Sequence, residues 1–393
     1  MILKDIAYYV DESIISDDIE KFQYVTTDSL LQNKEGRTIA TNMPPQSCSL
    51  THFMPGDVLI ANIRPYLKKI WKADIEGGCS KDVLVIRAKE GHFTEFVYAL
   101  AMQDSFFENA MLGIKGTQMP RGDKNKIMEF PVYIHSGKEE QKLGELIDKI
   151  QKKIALNTRM NAELEAMAKQ LYDYWFVQFD FPDENGNPYK SSGGQMVYNS
   201  TLKREIPAGW EDGVLSEIAN ITMGQSPDGS SYNENGEGTI FYQGSTDFGI
   251  RFPSVRMYTT APTRFASKGD ILMSVRAPVG DTNIANTDCC IGRGLSAINS
   301  KIGSISHLYH IIRDLKAKFD IVNAAGTTFG AITKDELFNL TIVKPDGDIL
   351  RKYEAFCSPL FDKQMKIGYE IDRLTHLRDS LLPMLMNGQV TVE

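Results

Sequence analysis

Apolar residues in parts of this chain occur in short runs that are separated by turns. Clear examples are DVLIANI (57–63), VLVIRA (83–88), DILMSV (270–275) and LSAIN (295–299). Such runs predict short β-strands, and helical stretches are predicted near 93–111 and 304–320. Strands and helices in this order predict an α+β fold with a strongly twisted or barrel-like sheet.

Elsewhere the apolar positions recur at alternating steps of four and three residues. Between Lys138 and Trp175 this heptad spacing predicts one long helix, with Asn157 and Asn161 as polar members of its apolar seam. The remaining seam positions are Leu143, Ile147, Ile150, Ile154, Leu164, Ala168, Leu171 and Trp175.

A second long helix is predicted 210 residues later. Pro359 is expected to break or kink it. Two apolar seams are buried most simply against each other, in an antiparallel pair, although each helix could instead pack on its own domain. The second seam consists of Tyr353, Cys357, Leu360, Gln364, Ile367, Ile371, Leu374, Arg378, Leu381 and Leu385.

The repeated phrases indicate an internal duplication. Gly116-Thr117 precedes Gly326-Thr327 by 210 residues, and GDVLIANIRP (56–65) resembles GDILMSVRAP (269–278). We therefore expect two copies of a globular segment followed by a long helix. The predicted boundaries are 1–137 for the first domain, 138–180 for the first helix, 181–206 for an exposed linker, 207–347 for the second domain and 348–393 for the second helix and tail.

Composition and charge narrow the partners only slightly. The 393 residues carry a net charge of −8, which argues mildly against a nucleic-acid partner. Cations are locally concentrated, however, at 61–72 and at 251–276, and phosphate binding depends on local charge. No apolar run is long enough to span a membrane and no signal peptide is recognised at the start, so a cytoplasmic protein is expected.

Residues that could carry catalysis or bind a metal do not form a known pattern. His307 and His310 are expected at the surface or at a cap rather than on a metal, and the turn 292–297 fits a strand connection better than a nucleotide loop. No metal site and no catalytic residue are predicted, which favours a recognition or assembly subunit over an enzyme. The odd number of cysteines predicts reduced thiols, at Cys48, Cys79, Cys289, Cys290 and Cys357.

Arginines at two strand ends are the leading candidates for DNA contacts. Arg64 and Arg276 each lie beside a proline turn, and a guanidinium suits phosphates and guanine edges. The alternative is a structural ion pair with Asp57 or Asp270. The repeated Gly-Thr loops supply further donors and acceptors. The full predicted DNA-binding set is Arg64, Lys68, Lys69, Lys115, Thr117, Gln118, Arg121, Arg276, Arg293, Thr327, Thr328 and Lys334.

Several segments together resemble one known family. They are GDILMSVRAPVGDTNIAN with CCIGRGLSAIN, the paired Gly-Thr loops, EEQK (139–142), LYDYWFVQFDFP (171–182) and LRDSLLPMLMNGQV (377–390). Across the whole chain this combination resembles the specificity subunits of type I restriction-modification systems. Arg351-Lys352, where the first copy has Gln141-Lys142, departs from the pattern at the start of the second helix.

The resemblance implies two pseudo-symmetric target-recognition domains joined by an antiparallel coiled coil of the two helices. Each domain would read one half of a split, asymmetric sequence in double-stranded DNA, and the helices would set the gap and dock two modification subunits. An endonuclease-translocase subunit is a further partner whose presence the sequence leaves open. S-adenosylmethionine, ATP and Mg²⁺ are expected only on partner subunits, and no cofactor on this chain.

The resemblance also assigns a role to the seams, as the helix–helix and partner interface. The residues concerned are Leu143, Ile147, Ile150, Ile154, Leu164, Leu171, Trp175, Leu360, Ile367, Ile371, Leu374, Leu381 and Leu385. Two other functions remain open on the residues alone. One is a duplicated adaptor that binds proteins, and the other is a self-contained nuclease or methyltransferase.

Overall fold

The computed structural model describes residues 1–112, 119–249, 251–324 and 330–392. They form two compact units, one of Met1–Arg159 with Glu370–Glu393 and one of Met160–Tyr369. Each unit thus combines a globular part with segments of both long helices. Within the described residues, no helix is long and apolar enough to cross a membrane.

Among its described residues, the first unit begins with a short helix and contains eight strands. Its elements are α1 (Leu3–Ile6), β1 (Ala7–Tyr9), β2 (Ser13–Ile15), β3 (Tyr24–Val25), β4 (Ser49–Phe53), β5 (Val58–Ala61), β6 (Ile70–Lys72), β7 (Gly77–Cys79), β8 (Val83–Ala88), α2 (Thr94–Ala101), α3 (Asp104–Met111), α4 (Lys124–Met128) and the long helix α5 (Gly137–Tyr172), which continues into the second unit.

The second unit contains a similar series after a hairpin. Its elements are β9 (Met196–Asn199), β10 (Arg204–Pro207), β11 (Glu211–Val214), α6 (Leu215–Ile218), β12 (Ala219–Met223), β13 (Tyr232–Asn233), β14 (Thr239–Tyr242), β15 (Tyr258–Thr259), β16 (Phe265–Ala266), β17 (Ile271–Ser274), β18 (Thr282–Ile284), β19 (Cys289–Ile291), β20 (Leu295–Ser300), α7 (Ile305–Ala324), α8 (Lys334–Phe338), β21 (Thr341–Lys344) and the long helix α9 (Gly347–Met386).

The central sheet has the same strand order in both units. It is β1-β8-β5-β6 in the first and β12-β20-β17-β18 in the second, and every neighbouring pair is antiparallel. The strands of each unit are divided among separate sheets, the other large one being β2-β4-β7-β3 or β13-β15-β14-β19-β16. The α+β class is confirmed, and the strongly twisted or barrel-like form of the sheet stays a prediction.

β5 is apolar throughout, and β17 is apolar up to its last residue, Ser274, because both faces of each strand are buried. In β5, Val58 and Ile60 pack in the cluster with the helices, while Leu59 and Ala61 pack in the cluster with the second sheet. In β17, Ile271 belongs likewise to the helix-side cluster and Leu272 to the sheet-side cluster. Successive side chains of a strand alternate between faces, so a strand between two layers needs a continuous apolar run.

The Gly-Asp phrase before each central strand forms a tight turn. Gly56 and Gly269 have left-handed backbone φ values of 98° and 94°, which glycine adopts without a Cβ penalty. The Asp57 carboxylate accepts a hydrogen bond from the Met54 backbone N–H (2.8 Å), and Asp270 accepts one from Ser267 (2.9 Å). The repeated phrase therefore marks where the central strand begins.

The predicted linker is largely exposed, but both of its ends form structure. Its end forms the hairpin of β9 and β10, and its beginning packs on the second unit through aromatic rings. Phe181 stacks on Trp210 with ring centroids 5.0 Å apart and on Tyr189 at 4.7 Å. Residues 181–206 therefore belong to the second unit. The aromatic rings of this Gly- and Pro-rich segment bury apolar surface against that unit.

Both long helices exist with nearly the predicted bounds. One π-helical turn, Asp173–Val177, continues α5. α9 is helical through Pro359, so the helix does not break there, and a kink at that residue stays a prediction. Pro359 lies more than three turns after Gly347, in the interior of α9, where a proline removes one backbone hydrogen bond. Packing of the helix against its neighbours can hold such a segment helical.

The two helices contact each other inside each unit. In the first unit Arg378 Nη1 donates to Gln151 Oε1 (2.8 Å) and Asn157 Nδ2 donates to Glu370 Oε2 (2.8 Å). Because the residue numbers rise on one helix and fall on the other, the segments run in opposite directions in that unit.

The second unit has an equivalent pairing. Gln364 Nε2 donates to Glu165 Oε2 (2.8 Å), and the ring centroids of Trp175 and Tyr353 lie 5.7 Å apart. The numbers again change in opposite senses, so these segments are antiparallel as well. Polar seam positions of both helices are buried, namely Asn157, Asn161, Gln364 and Arg378.

Candidate nucleic-acid interface

The end of β5 is joined by backbone hydrogen bonds to two other segments. The Asn62 N–H donates to the Asp82 carbonyl (2.8 Å), and the Gly122 N–H donates to the Asn62 carbonyl (2.9 Å). The Arg64 N–H donates to the Pro120 carbonyl (2.8 Å). We call this meeting point of 62–64, 82 and 120–122 the first junction.

The end of β17 forms the same arrangement in the second unit. The Val275 N–H donates to the Gly294 carbonyl (2.9 Å), and the Ile332 N–H donates to the Val275 carbonyl (2.9 Å). Arg276 forms an isolated bridge with Ala331, as Ile63 does with Arg121 in the first unit. We call this meeting point of 275–277, 294 and 330–332 the second junction. Backbone bonds set both junctions, so their side chains are free to differ.

Each junction lies where a Gly-Thr loop rejoins the described chain. The predicted DNA-binding residues Lys115, Thr117, Gln118, Thr327 and Thr328 lie outside the described residues. The segments that follow them, 119–122 and 330–332, are described and form the junctions. The arginine turns are therefore held beside the points at which the loops return.

Arg64 and Arg276 are exposed, and their alternative structural partners are occupied elsewhere. The Asp57 carboxylate accepts two hydrogen bonds from Arg87, and Asp270 accepts one from Asn299 Nδ2 (3.1 Å). Across the described part of the chain neither Arg64 nor Arg276 has an ion pair, so the alternative of a pair with Asp57 or Asp270 is wrong. Arg64 also adopts a left-handed φ of 52°, which is uncommon for residues other than glycine.

The acid-free stretch 61–72 does not form the basic patch that its sequence predicts. Lys72 pairs with Asp148 (2.7 Å) and Glu95 (2.9 Å), and Lys68 pairs with Asp104 (2.9 Å). Lys69 Nζ donates to the Thr27 carbonyl (2.6 Å). Folding brings distant carboxylates to these lysines, which leaves Arg64 as the cation of this stretch that points to solvent without an ion pair among the described residues.

Arg121 lies in the first junction and is also paired. Its Nη1 lies 3.0 Å from Asp82 Oδ1, although its side chain remains 64% exposed. An exposed pair of this kind contributes little to stability, so a phosphate can replace Asp82 as the partner of Arg121 at small cost.

The cations of 251–276 are divided in the same way. Arg251 is buried against Glu165, and Arg256 pairs with Asp247. Lys268 Nζ lies 5.2 Å from the Tyr369 ring. Arg264 and Arg276 are exposed, so this stretch leaves fewer open cations than its composition predicts.

Two other predicted cations are exposed in the second unit. Arg293 precedes Gly294 of the second junction, and its backbone N–H donates to Ser226 Oγ (3.3 Å). Lys334 begins α8, with Nζ 5.2 Å from the Phe338 ring.

One cation at the first junction was missed by the sequence reasoning. Lys81 is exposed and immediately precedes Asp82, just as Arg293 precedes Gly294. Aligning the turns before β8 and β20 would have revealed it. Each junction therefore carries two cations. One, Arg64 or Arg276, lies where the central strand ends. The other, Lys81 or Arg293, lies on the turn before β8 or β20.

The predicted interface residues on the helices differ in burial. Buried ones are Leu143, Ile147, Ile150, Ile154, Trp175, Ile367 and Leu385, and partly buried ones are Leu164, Leu171, Leu360, Ile371, Leu374 and Leu381. Exposed apolar residues beside the seams include Leu156 and Met167.

The two histidines of α7 are buried, so their predicted surface or capping positions are wrong. Burial lowers the pKa of His307 to about 3, with the nearby His310 lowering it further, and burial lowers the pKa of His310 to about 4. Both rings pack against Tyr172, with centroids 5.9 and 5.2 Å away. They are neutral core residues near neutral pH.

Other reactive groups are not assembled into a site. In the described ranges no group of three or more His, Cys, Asp or Glu side chains is placed to hold a metal ion, and the five cysteines are free thiols. Burial raises the pKa of Cys79 and of Cys289 to about 12. The turn 292–294 leads into β20, as expected of a strand connection.

The amino-acid sequence of this chain is similar to those of known proteins. Residues 207–358 match the family model described as the type I restriction modification DNA specificity domain. The type I restriction enzyme MjaIX specificity subunit of Methanocaldococcus jannaschii is 24% identical over 392 residues, which cover 96% of this chain and 86% of that protein.

A second relative is more similar over a shorter region. A provisionally assigned MjaX specificity subunit of the same organism is 36% identical over 199 residues, 48% of this chain, and the match spans 45% of that relative's length. Among solved structures, the type I restriction-modification S subunit of M. genitalium aligns with 98% of this chain and 95% of that chain, at a TM-score of 0.59 and 13% identity. This last similarity concerns the fold alone.

Proposed function

We propose that the chain is a specificity subunit of a type I restriction-modification system and that it binds a bipartite, asymmetric target in double-stranded DNA. Each unit reads one half-site. The chain supplies recognition rather than catalysis, and methyl transfer takes place on partner subunits.

The duplicated junction is the observation that carries this proposal. Each junction holds an exposed arginine, Arg64 or Arg276, beside the return of a Gly-Thr loop. Backbone groups fix the position of the turn, and guanidinium groups are suited to bidentate contacts with phosphates or with guanine O6 and N7. Because the backbone bonds are equivalent while Arg121 and Ala331 differ, the two units are suited to different half-sites.

The helices supply the separation between the half-sites in this proposal. The antiparallel contacts within each unit support a coiled coil formed by α5 and α9. Two readers on one face of a duplex need centres about 34–36 Å apart, one turn of DNA. Two modification subunits dock on the helices, where exposed apolar residues such as Met167 remain.

The cofactors of the reaction belong to the partners in this proposal. S-adenosylmethionine binds the modification subunits, and ATP with Mg²⁺ binds an endonuclease-translocase subunit where the system has one. A protein with this function works beside the chromosome, and we therefore place it in the cytoplasm.

Two measurements test the proposal. First, methylome sequencing of a host that carries the chain with its modification subunit should give one bipartite motif that disappears when the gene for this chain is deleted. Second, the affinity of the reconstituted complex for a duplex with that motif should fall steeply as salt is added. A plot of the logarithm of the association constant against the logarithm of the salt concentration should have a slope of about −0.9 for each phosphate contact.

The alternatives predict different results. A protein-binding adaptor gives a flat salt dependence, and its deletion leaves the methylation motif unchanged. A self-contained nuclease or methyltransferase modifies DNA when this chain is incubated alone with a metal ion or S-adenosylmethionine. Either result would overturn the assignment of a recognition subunit.

A further inference from the structure

One buried lysine in the first unit connects the globular part to the helix pair. Lys34 is 4% exposed, and its Nζ lies 2.7 Å from Asp104 Oδ1 on α3 and 3.4 Å from Asp379 Oδ1 on α9. Its backbone carbonyl accepts a hydrogen bond from Gln151 Nε2 on α5 (2.9 Å). A single loop residue therefore contacts both long helices.

The helix side of this contact is itself hydrogen-bonded. Arg378 donates from Nη1 to Gln151 (2.8 Å) and from Nε to Asp379 (2.9 Å). Each group that Lys34 meets on α5 and α9 is thus held by Arg378. The position of Lys34 is set by the pair of helices rather than by either one.

The same residue is connected to the predicted DNA-contacting turn. The Lys34 N–H donates to the Lys68 carbonyl (2.9 Å), and the Asn33 N–H donates to the Leu67 carbonyl (3.0 Å). The 3₁₀ turn Pro65–Leu67 lies between Arg64 and Lys68, both of which have left-handed φ values. Continuous hydrogen bonds therefore lead from the helices through Lys34 to the Arg64 turn.

A buried arginine occupies a comparable place in the second unit. Arg251 is 9% exposed and donates from Nη1 to Glu165 Oε2 on α5 (3.2 Å). Gln364 on α9 donates to the same carboxylate oxygen (2.8 Å). Its guanidinium also lies 4.9 Å from the Phe361 ring. Again one loop cation meets both helices.

The residues beside Arg251 strengthen that attachment. Phe252 stacks on Tyr369 of α9 with centroids 4.7 Å apart. A Cβ at Gly368 would lie 2.7 Å from the Phe252 ring, so the helix carries glycine where the loop approaches it. The Arg251 carbonyl accepts from the Ile284 N–H (3.0 Å) in β18, next to the central strand.

Stability alone does not explain these charges. Well-packed apolar residues usually replace buried ion pairs at little cost or with a gain in stability, whereas a hydrogen-bonded pair admits fewer alternative geometries. An apolar loop would slide on the helices more easily than one that must satisfy a lysine or a guanidinium.

We propose that Lys34 and Arg251 are positioning residues, each of which fixes the DNA-reading turns of its own unit on the helix pair. This inference rests on the proposed function. Lys34 acts on the half-site read by the first unit, and Arg251 on the half-site read by the second.

The test uses the complex reconstituted with its modification subunits and three duplexes. One carries the motif defined by methylome sequencing, and the others carry it with one or the other half-site scrambled. We expect Lys34→Met to weaken recognition of one half-site about tenfold, as loss of about 1.4 kcal/mol gives, and Arg251→Met to weaken the other. Lys34→Arg should restore most of the loss, and Lys89→Met, at an exposed lysine, should bind like the wild type.

A second readout separates positioning from a general loss of structure. Duplexes with a gap one base pair shorter or longer should be discriminated less by Lys34→Met and Arg251→Met than by the wild type. If either variant unfolds, Asp379→Asn and Glu165→Gln remove the helix-side charge instead, and they should show the same half-site pattern.

The outcomes distinguish the two proposals. If the wild-type complex does not bind the bipartite duplex, the proposed function fails. If the wild type binds but both variants affect the two half-sites equally, or keep the wild-type preference for the gap, only the positioning inference is overturned.

Discussion

Arg87 donates two hydrogen bonds to Asp57, from Nε to Oδ1 and from Nη2 to Oδ2, both at 2.7 Å. This paired hydrogen bond raises the pKa of the Arg87 guanidinium, and it occupies a carboxylate that is only 2% exposed. Arg87 therefore supplies the charged partner of Asp57 at the start of β5. Arg64, at the other end of that strand, remains available to bind an external partner.

Arg64 and Lys72 should separate binding from stability. Arg64→Ala should weaken DNA binding because one phosphate contact is lost. The slope of log affinity against log salt concentration should become shallower by about 1. The unfolding midpoint should stay unchanged. Lys72→Met should instead lower the unfolding midpoint and leave DNA binding and its salt dependence unchanged, because it leaves Asp148 and Glu95 without their shared cation. Binding titrations at several salt concentrations and urea denaturation measure the two effects.

The matched pair makes the comparison informative. Both residues lie in the acid-free stretch 61–72, so a role based on local charge alone would give similar binding losses. Equal salt slopes for the two variants would contradict the assignment of Arg64.

Arg276 should act on one half-site only. Arg276→Ala should cost about 1–3 kcal/mol for the half-site read by the second unit, the range for loss of a bidentate base contact. Half-site-scrambled duplexes in the reconstituted complex measure it. Arg351→Ala, at an exposed arginine of α9 paired with Asp348, is the control and should bind normally. Equal weakening at both half-sites would argue against this role.

His307 should make stability depend on pH. Its pKa is lowered to about 3 in the folded chain, whereas an unfolded histidine has a pKa of about 6.5. The unfolded state therefore binds the proton first, and the free energy of unfolding falls as the pH drops from 6.5 towards 4, by up to about 1.4 kcal/mol per pH unit. His307→Leu should make this dependence less steep, as urea denaturation at pH 7, 6 and 5 would measure, while His310, whose pKa is lowered to about 4, accounts for part of what remains. His376→Leu is the exposed control, and parallel curves for the wild type and His307→Leu would refute the prediction.

Gly144 should be intolerant of alanine although it lies in a helix. An added Cβ would lie 2.5 Å from the Phe96 nitrogen, so Gly144→Ala forces α5 away from α2 and should cost about 1–3 kcal/mol. At Gly137, the first residue of α5, nothing lies within 4 Å of an added Cβ. Gly137→Ala should be neutral or stabilising by up to about 1 kcal/mol. Thermal unfolding of both variants measures the difference, and equal midpoints would show that α5 can shift freely.

The sequence predicted those parts of the fold that depend on local patterns. The run at 57–63 identified β5 because a strand buried on both faces needs apolar residues at every position. Heptad spacing identified α5 to within a few residues, since side chains seven apart share one helix face. The repeated phrases identified the duplication because equivalent turns need the same glycine and aspartate.

The charges of the candidate site could not be predicted in the same way. Lys68 and Lys72 lie in an acid-free stretch, yet Asp104 and Asp148 reach them from distant parts of the chain. His307 is buried because the face of α7 that carries it packs on α5, which the spacing of two histidines does not reveal. The roles of Thr117 and Thr327 stay predictions, since those loops lie outside the described residues.

Each compact unit takes residues from both long helices, so neither half of the chain contains a whole unit. A protein cut after residue 180 would carry the globular part and α5 but would lack Leu382, Leu385 and Met386, which complete the first core. Such a fragment could bury that surface only by borrowing a helix from a second molecule. Because the two halves are related by duplication, another copy of the fragment is the nearest substitute. Under the proposed function, a shortened gene would yield a dimer with two identical reading units, and its target would be a palindrome.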